Sequence, residues 1–172
     1  DNAPAMIAQA EAKRAELPSD VQRRLAFMTG DMRTLRLGRT FDAVVLAFNT
    51  LMHMTEDDDL AAALETARVH LAPRGQFHLD LHVPLPDIAR NRPDGERFDP
   101  QEMIDPRTGD RFIVSENNAY DARRQINRMR FYYRRVKRTG EPVGGERVAI
   151  VDLRVLFPRE LDRWLELAGF DV

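Results

Sequence analysis

The chain of 172 residues contains no cysteine, which excludes disulfide bonds and thiolate metal ligands. Long apolar runs are also missing: no stretch approaches the roughly 20 residues that span a bilayer, and the N-terminal residues show no signal-peptide pattern. Neither sign of charge dominates, because 26 basic residues oppose 28 acidic ones and the net charge is −2. Composition therefore provides no global field that would attract nucleic acid or an anionic membrane. These absences are typical of a cytoplasmic protein.

Hydrophobic residues make up 43% of the sequence, which is enough for one sizeable core. In the first half, helix signals alternate with short apolar runs bounded by turn residues, a pattern typical of strands buried in a parallel sheet. This pattern predicts helices over 5–17 and 57–71 and strands over 25–29, 43–48 and 76–81. Repeated crossover units of this kind predict a mainly parallel α/β sheet.

The second half has a different pattern. Prolines interrupt residues 84–106, where we expect loops and a short helix over 87–90. Alternating residues then predict antiparallel strands, and Met129, Phe131 and Tyr133 on the middle strand predict one buried face. The predicted strands cover 111–120, 126–137 and 146–156, and a closing helix covers 158–168 and stops at Gly169.

Polar residues stand at the ends of two predicted parallel strands. Asp31 follows the strand over 25–29, and Asn49 follows the strand over 43–48. Open α/β sheets bind ligands at the carboxyl ends of their strands. The sequence therefore predicts a binding site at this edge of the sheet.

Five segments, in this order and at these spacings, carry a family resemblance: Asp1-Asn2-Ala3-Pro4-Ala5-Met6, Gly30-Asp31-Met32, Phe41 through Asn49, Leu71 through Phe77, and Leu156 through Leu161 with Leu167 through Phe170. They resemble the class I S-adenosylmethionine-dependent methyltransferases of the small-molecule type, in which an antiparallel insertion follows the fifth sheet strand. The resemblance implies that S-adenosyl-L-methionine is the cofactor and that its methyl group passes to N or O of a small-molecule acceptor.

The resemblance also implies an architecture. We expect a Rossmann-like, mainly parallel sheet with helices on both faces, built from residues 1–83 and 157–172. Residues 84–156 would form the inserted antiparallel sheet and serve as a lid, a substrate surface or the interface of a homodimer. The family's glycine-rich loop would precede Asp1, so we expect the chain to be truncated at both ends.

Cofactor contacts are implied by the resemblance for Asp1, Met6, Asp31, Met32, Phe48 and Asn49. The acid at the place of Asp1 holds the ribose hydroxyls, and Phe48 and Asn49 end the strand that lines the methionine part of the cofactor. The Asp31 carboxylate and the Met32 backbone N–H would contact adenine. This pair suits adenine, because a carboxylate beside an N–H complements an amine donor beside a ring acceptor.

Histidines supply the candidates for acid–base chemistry. His53 lies four residues past Asn49, and residues 49–54 are similar to the Ser-Ser-x-x-His-Met stretch of amino-sugar N-methyltransferases. His53 is therefore our candidate general base, although a histidine at a helix start that only packs on the cofactor fits the sequence equally well. Asp80 and His82, at the end of the strand over 76–81, are candidates for lining the acceptor pocket. We expect His70 to be a surface or interface group near a helix end.

Two other functions fit parts of the sequence. A nucleotide-binding oxidoreductase would share the sheet but needs a full Gly-x-Gly-x-x-Gly loop. An RNA- or partner-binding module without catalysis could use the basic residues of 123–138, which interleave with Tyr132 and Tyr133. We expect those basic residues to form a solvated sheet face or a dimer contact instead, because nearby strands offer acidic partners: Glu116, Asp121, Glu146 and Asp152.

Acidic residues at 56–59 could suggest a metal site. Consecutive carboxylates at a helix start favour compensation of the helix dipole instead. We therefore expect no bound metal.

Overall fold

The computed structural model describes residues 2–84 and 96–172, which divide into two compact units. The first unit contains the described residues up to Ala47 together with Glu56–Leu79 and Arg163–Val172. The second unit contains the described residues of Phe48–Thr55 and Asp80–Asp162. The expected helix over 87–90 and the expected ribose contact at Asp1 lie outside the described residues.

Three helices of the first half have sequence signals at their ends. Helix α1 (Pro4–Ala15) begins with a proline in its first turn, where the missing N–H costs nothing, and it is followed by the short helix α2 (Ser19–Gln22). Helix α3 (Asp57–Val69) has three aspartates in its first turn and Arg68 in its last turn, as the helix dipole favours. Its Leu60 and Leu64 are fully buried and form the centre of this unit's core.

A two-stranded parallel sheet gives the first unit its α/β character. Strand β1 (Phe41–Leu46) pairs in parallel with strand β2 (Leu71–Leu79) across the connection that contains α3. The register jumps between Phe41 and Ala43, so residues 72–75 form a bulge within β2. Glycine suits position 75, because a Cβ there would lie 3.0 Å from the carbonyl oxygens of Ala72 and Phe41, closer than most real Cβ contacts.

The prediction of a strand over 25–29 is wrong. These residues are irregular, and they belong to neither of the two sheets of the described residues. The carbonyl of Leu25 accepts a hydrogen bond from the Arg14 guanidinium instead, at 3.0 Å. An apolar run alone does not make a strand, because ladder hydrogen bonds come from a partner.

The second unit contains a four-stranded antiparallel sheet in the order β3-β4-β5-β6. The strands are β3 (Phe98–Ile104), β4 (Arg111–Asp121), β5 (Ile126–Val136) and β6 (Arg147–Arg154). The last three confirm the prediction. Strand β3 was not predicted, because it contains Pro100 and a register irregularity between Phe98 and Gln101, features that proteins tolerate at a sheet edge.

Burial in the antiparallel sheet differs from the prediction. Met129, Phe131 and Tyr133 are only half-buried. The buried side chains of this unit lie at residues 51 and 52, in β4 and β5, and from the end of β6 onward: Leu51, Met52, Asn117, Asn118, Ile126, Asn127, Val136, Arg154, Val155 and Leu156. The face of β5 that was expected to be buried is therefore only partly shielded from solvent.

Helix α4 (Pro158–Leu167) closes the described chain as predicted, and Gly169 follows it in the left-handed conformation with φ 85°. In the first unit, the Phe170 ring stacks on Phe77 with centroids 5.1 Å apart. Within the described ranges, every helix is too short or too polar to cross a membrane.

Candidate functional site

Asp31, the predicted adenine contact, is held by Arg33 two residues later. The Asp31 carboxylate accepts hydrogen bonds from the Arg33 backbone N–H at 2.9 Å and from its guanidinium Nη2 at 2.6 Å. The Arg33 guanidinium lowers the pKa of Asp31 to about 2, chiefly through the side-chain hydrogen bond. Asp31 is therefore an oriented anion at neutral pH, with most of its acceptor positions already used.

Arg33 also reaches a second carboxylate on α3. Its Nη1 lies 2.8 Å from Oδ1 of Asp59, in the first turn of the helix. The two carboxylates together raise the pKa of the guanidinium, so Arg33 stays charged. Arg33 thus ties Asp31 to the N-terminal end of α3.

Further hydrogen bonds attach residues 31–37, which we name the anchored loop, to the rest of α3. The Thr66 hydroxyl donates to the Arg33 carbonyl at 3.1 Å and accepts from the Arg36 guanidinium at 2.7 Å. The Leu37 backbone N–H donates to Nε2 of His70 at 2.9 Å. The anchored loop is consequently fixed to α3 at its start, middle and end.

His70 is buried, with 6% of its surface exposed, so the expectation of a surface group is wrong. Its Nδ1 lies 2.7 Å from the Thr66 carbonyl, which can only accept, so Nδ1 carries the proton. Nε2 is then free to accept from Leu37, and both ring nitrogens are satisfied by the neutral imidazole. His70 therefore has a structural role: it holds the end of the anchored loop in place by hydrogen bonding.

An apolar pocket of about 350 Å³ lies beside the anchored loop in the first unit. Met32 and Leu35 of the loop line it, together with Val44 of β1 and Ala63 of α3. Met32 thus belongs both to the loop and to the pocket lining. Met6, another predicted cofactor contact in this unit, is exposed on α1.

The chain leaves β1 through a strained turn in the second unit. Phe48 and Asn49 both have left-handed backbone angles, with φ 59° and 57°, which end the strand two residues earlier than predicted. Such angles cost non-glycine residues about 1 kcal/mol or more each, and Asn tolerates them better than Phe. The Phe48 side chain is 89% exposed, so burial of the ring does not hold the turn.

Two side chains fasten this turn to the segment that follows β2. The Asp80 carboxylate accepts a hydrogen bond from the Phe48 backbone N–H at 2.9 Å. In return, Oδ1 of Asn49 accepts from the His82 backbone N–H at 2.5 Å. We name this pair of reciprocal hydrogen bonds the turn clamp. It brings together Phe48, Asn49, Asp80 and His82, four of the residues selected from the sequence.

His53 ends a single turn of 3₁₀ helix (Thr50–His53) that follows Asn49. Leu51 and Met52 of this turn are buried, whereas His53 is exposed. Packing is therefore carried by Leu51 and Met52. The imidazole remains accessible for contact with a ligand.

The basic residues of the antiparallel sheet have acidic partners. Arg128 pairs with Asp152 across β5 and β6 at 2.7 Å, and Glu146 receives both Arg134 and Arg97. These hydrogen bonds lower the pKa of Asp152 and of Glu146. The predicted cross-strand pairing is confirmed for both acids. Across residues 2–84 and 96–172, no cluster of His, Asp and Glu could hold a metal ion.

Comparisons with known proteins identify a similar domain and similar folds. Residues 1–75 match the family model of a methyltransferase domain. No curated protein sequence matches the chain.

Solved structures match almost the whole chain. An S-adenosylmethionine-dependent methyltransferase from Clostridium acetobutylicum superposes with a TM-score of 0.72 over 98% of this chain and 61% of its own, at 16% identity. The amino pentose methyltransferase CalS10 from Micromonospora echinaspora superposes with a TM-score of 0.69 over 98% of this chain and 63% of its own, at 25% identity. For the sugar N-methyltransferase KedS8 from a Streptoalloteichus species, the TM-score is 0.66 over 98% of this chain and 60% of its own, at 23% identity.

The chain thus spans about three fifths of the length of these structures. The predicted α/β class, with a parallel sheet and a separate antiparallel sheet, is confirmed.

Proposed function

We propose that this chain, which has the fold of the S-adenosylmethionine-dependent methyltransferases and matches their domain model over residues 1–75, belongs to an enzyme that methylates a small molecule. One observation carries the proposal furthest. At 25% identity, the similarity to an amino pentose methyltransferase covers 98% of the chain, so it includes the antiparallel sheet as well as the parallel one.

The cofactor of the proposed enzyme is S-adenosyl-L-methionine. Asp31 and the backbone N–H of Met32 would read the adenine edge. The ionised Asp31 carboxylate suits an amine donor, and adenine would share its oxygens with Arg33. Phe48 and Asn49 would contact the methionine part, and Met6 and Asp1 the ribose side. The structure describes Met6 as exposed, so its side chain is accessible to a ligand.

The acceptor that we propose is an amino sugar or a related small molecule with a nucleophilic N or O. Bound S-adenosylmethionine would supply an electrophilic methyl group to the lone pair of the acceptor, with the carbon–sulfur electrons retained by sulfur as a neutral thioether. The protein then has to hold the acceptor in line and receive a proton.

His53 is the proposed proton acceptor. Its imidazole is exposed, while Leu51 and Met52 of the same 3₁₀ turn supply the packing. A histidine that packs only within the protein would be expected to share that burial. The exposed imidazole is available to a ligand, which supports our choice of His53 as the base, beside the proposed acceptor contact His82.

Two rival functions make different demands on the structure. An oxidoreductase would bind a nicotinamide dinucleotide in preference to S-adenosylmethionine. An RNA-binding module would use the basic sheet face, but Arg128 and Arg134 there are already paired with carboxylates. The pairing favours the enzyme over the RNA-binding module.

Methyl transfer by the intact protein tests the proposal. The assay supplies S-adenosylmethionine with a panel of amino sugars and their hydroxyl analogues and detects S-adenosylhomocysteine together with the methylated product. We expect product from at least one amino sugar. Absence of product across amine and hydroxyl acceptors, with tight binding of NAD(H) or salt-dependent binding of RNA, would favour a rival. A homodimer formed through the antiparallel sheet is also a prediction, and the molar mass from light scattering would test it.

A further inference from the structure

We infer that Asp80 is a positioning residue, which sets the Phe48–Asn49 turn through the turn clamp instead of contacting the acceptor. This inference rests on the proposed function, since it concerns the turn that would meet the methionine part of the cofactor. It differs from the role expected from the sequence, in which Asp80 lines the acceptor pocket.

The first step is the conformation of the turn. Phe48 and Asn49 are consecutive non-glycine residues with φ near 60°, a backbone state that costs energy and persists only where the surroundings hold it. Phe48 is 89% exposed, so its ring supplies little packing energy to the turn. Polar contacts must therefore contribute to holding it.

The second step is the identity of those contacts. The Asp80 carboxylate accepts the Phe48 backbone N–H at 2.9 Å, at one of the two left-handed residues. Asn49 Oδ1 accepts the His82 backbone N–H, and the Asn49 carbonyl accepts from the Met52 backbone N–H at 2.9 Å. Each of the two segments thus supplies one side-chain acceptor to the backbone of the other.

The third step is what the turn positions. Phe48 carries its exposed ring directly on the turn, and the 3₁₀ helix that presents His53 begins at the next residue after Asn49. A change at residue 48 therefore moves both the proposed cofactor contact and the proposed base. Asp80 acts on both through one backbone hydrogen bond.

A matched pair of substitutions separates positioning from acceptor binding. Asp80→Asn keeps an oxygen that can accept from Phe48 and removes the charge, whereas Asp80→Ala removes the acceptor. Asp162→Ala, which removes an exposed carboxylate on α4, is the control. The measurements are S-adenosylmethionine affinity by calorimetry, kcat and acceptor KM, and exchange of the Phe48 amide hydrogen by NMR.

We expect Asp80→Ala to weaken cofactor binding or lower kcat about tenfold, the scale of one lost charged hydrogen bond, and to speed exchange of the Phe48 amide. Asp80→Asn should restore most of both, with an unchanged acceptor KM. An Asp80→Asn variant as impaired as Asp80→Ala, or a raised acceptor KM with normal amide exchange, would overturn the inference. The amide measurement needs no cofactor, so a protein that binds no S-adenosylmethionine refutes the proposed function and leaves the clamp separately testable.

Discussion

The Leu37 backbone N–H donates a hydrogen bond to the imidazole Nε2 of His70, 2.9 Å away, across 33 residues of sequence. This contact fixes the end of the anchored loop to the end of α3. Because the second ring nitrogen is held by the Thr66 carbonyl, the neutral imidazole satisfies both partners at once. The loop that carries Asp31 thus depends on a residue far from it in the sequence.

Replacing His70 should destabilise the first unit. His70→Ala leaves a backbone N–H and a carbonyl without their partner and opens a cavity, so we expect a loss of about 2 to 4 kcal/mol in the free energy of unfolding. Urea denaturation gives this value. His78→Ala on β2, where the side chain is exposed, is the control and should change it by less than about 0.5 kcal/mol. Equal effects of the two substitutions on the free energy of unfolding would show that His70 does not hold the anchored loop in place.

The Asp31–Arg33 pair should stabilise the fold near neutral pH and lose this contribution at low pH. Its carboxyl has a pKa lowered from 3.8 to about 2 in the fold. The folded state therefore binds this proton less readily than the unfolded chain does, so the stabilisation is complete above about pH 4 and is lost as the pH falls towards 2.

Removing Arg33 tests this dependence. In Arg33→Ala the Asp31 pKa should return towards its ordinary value, and the fall in unfolding free energy between pH 4 and pH 2 should become shallower than in the wild type. Urea denaturation at several pH values measures both slopes. Arg24→Ala, which removes an exposed pair 3.7 Å long, should leave the slope unchanged. Parallel wild-type and Arg33→Ala curves would contradict the assignment.

His53 should matter for turnover and little for cofactor binding. If it accepts the proton of the acceptor, His53→Ala should lower kcat by about 10²-fold while S-adenosylmethionine affinity stays within about twofold. Added imidazole should recover part of the rate, because it replaces the missing base. Full turnover in His53→Ala would mean that the acceptor is deprotonated by another group or attacks as a free amine.

Sequence patterns predicted the elements whose signals are local. Helix α3 has its three aspartates and β4 to β6 have alternating residues, so each could be recognised from its own segment. The run over 25–29 was misjudged because a strand also requires a neighbour. Strand β3 was missed because Pro100 is a loop signal unless the strand lies at an edge.

The residues of the candidate site also divide into those with a local sequence signal and those that depend on distant contacts. Asp31 and Asn49 could be selected because each follows an apolar run. The roles of Arg33 and His70 could not be predicted, since the contacts with Asp59 and Leu37 join residues 26 and 33 positions apart and no local pattern indicates them. Asp80 was selected for its place at the end of a predicted strand. Its hydrogen bond to Phe48 could not be predicted, because it depends on a left-handed turn, and the apolar run over 44–48 indicates a strand there instead.

Titration of the intact protein with S-adenosylmethionine in a calorimeter tests the central claim most directly. We predict saturable binding with a dissociation constant in the micromolar range, no comparable binding of NAD(H), and a loss of about tenfold or more in affinity in Asp31→Ala, the effect of removing a charged hydrogen-bond acceptor. Absence of S-adenosylmethionine binding, or an affinity unchanged in Asp31→Ala, would contradict the account.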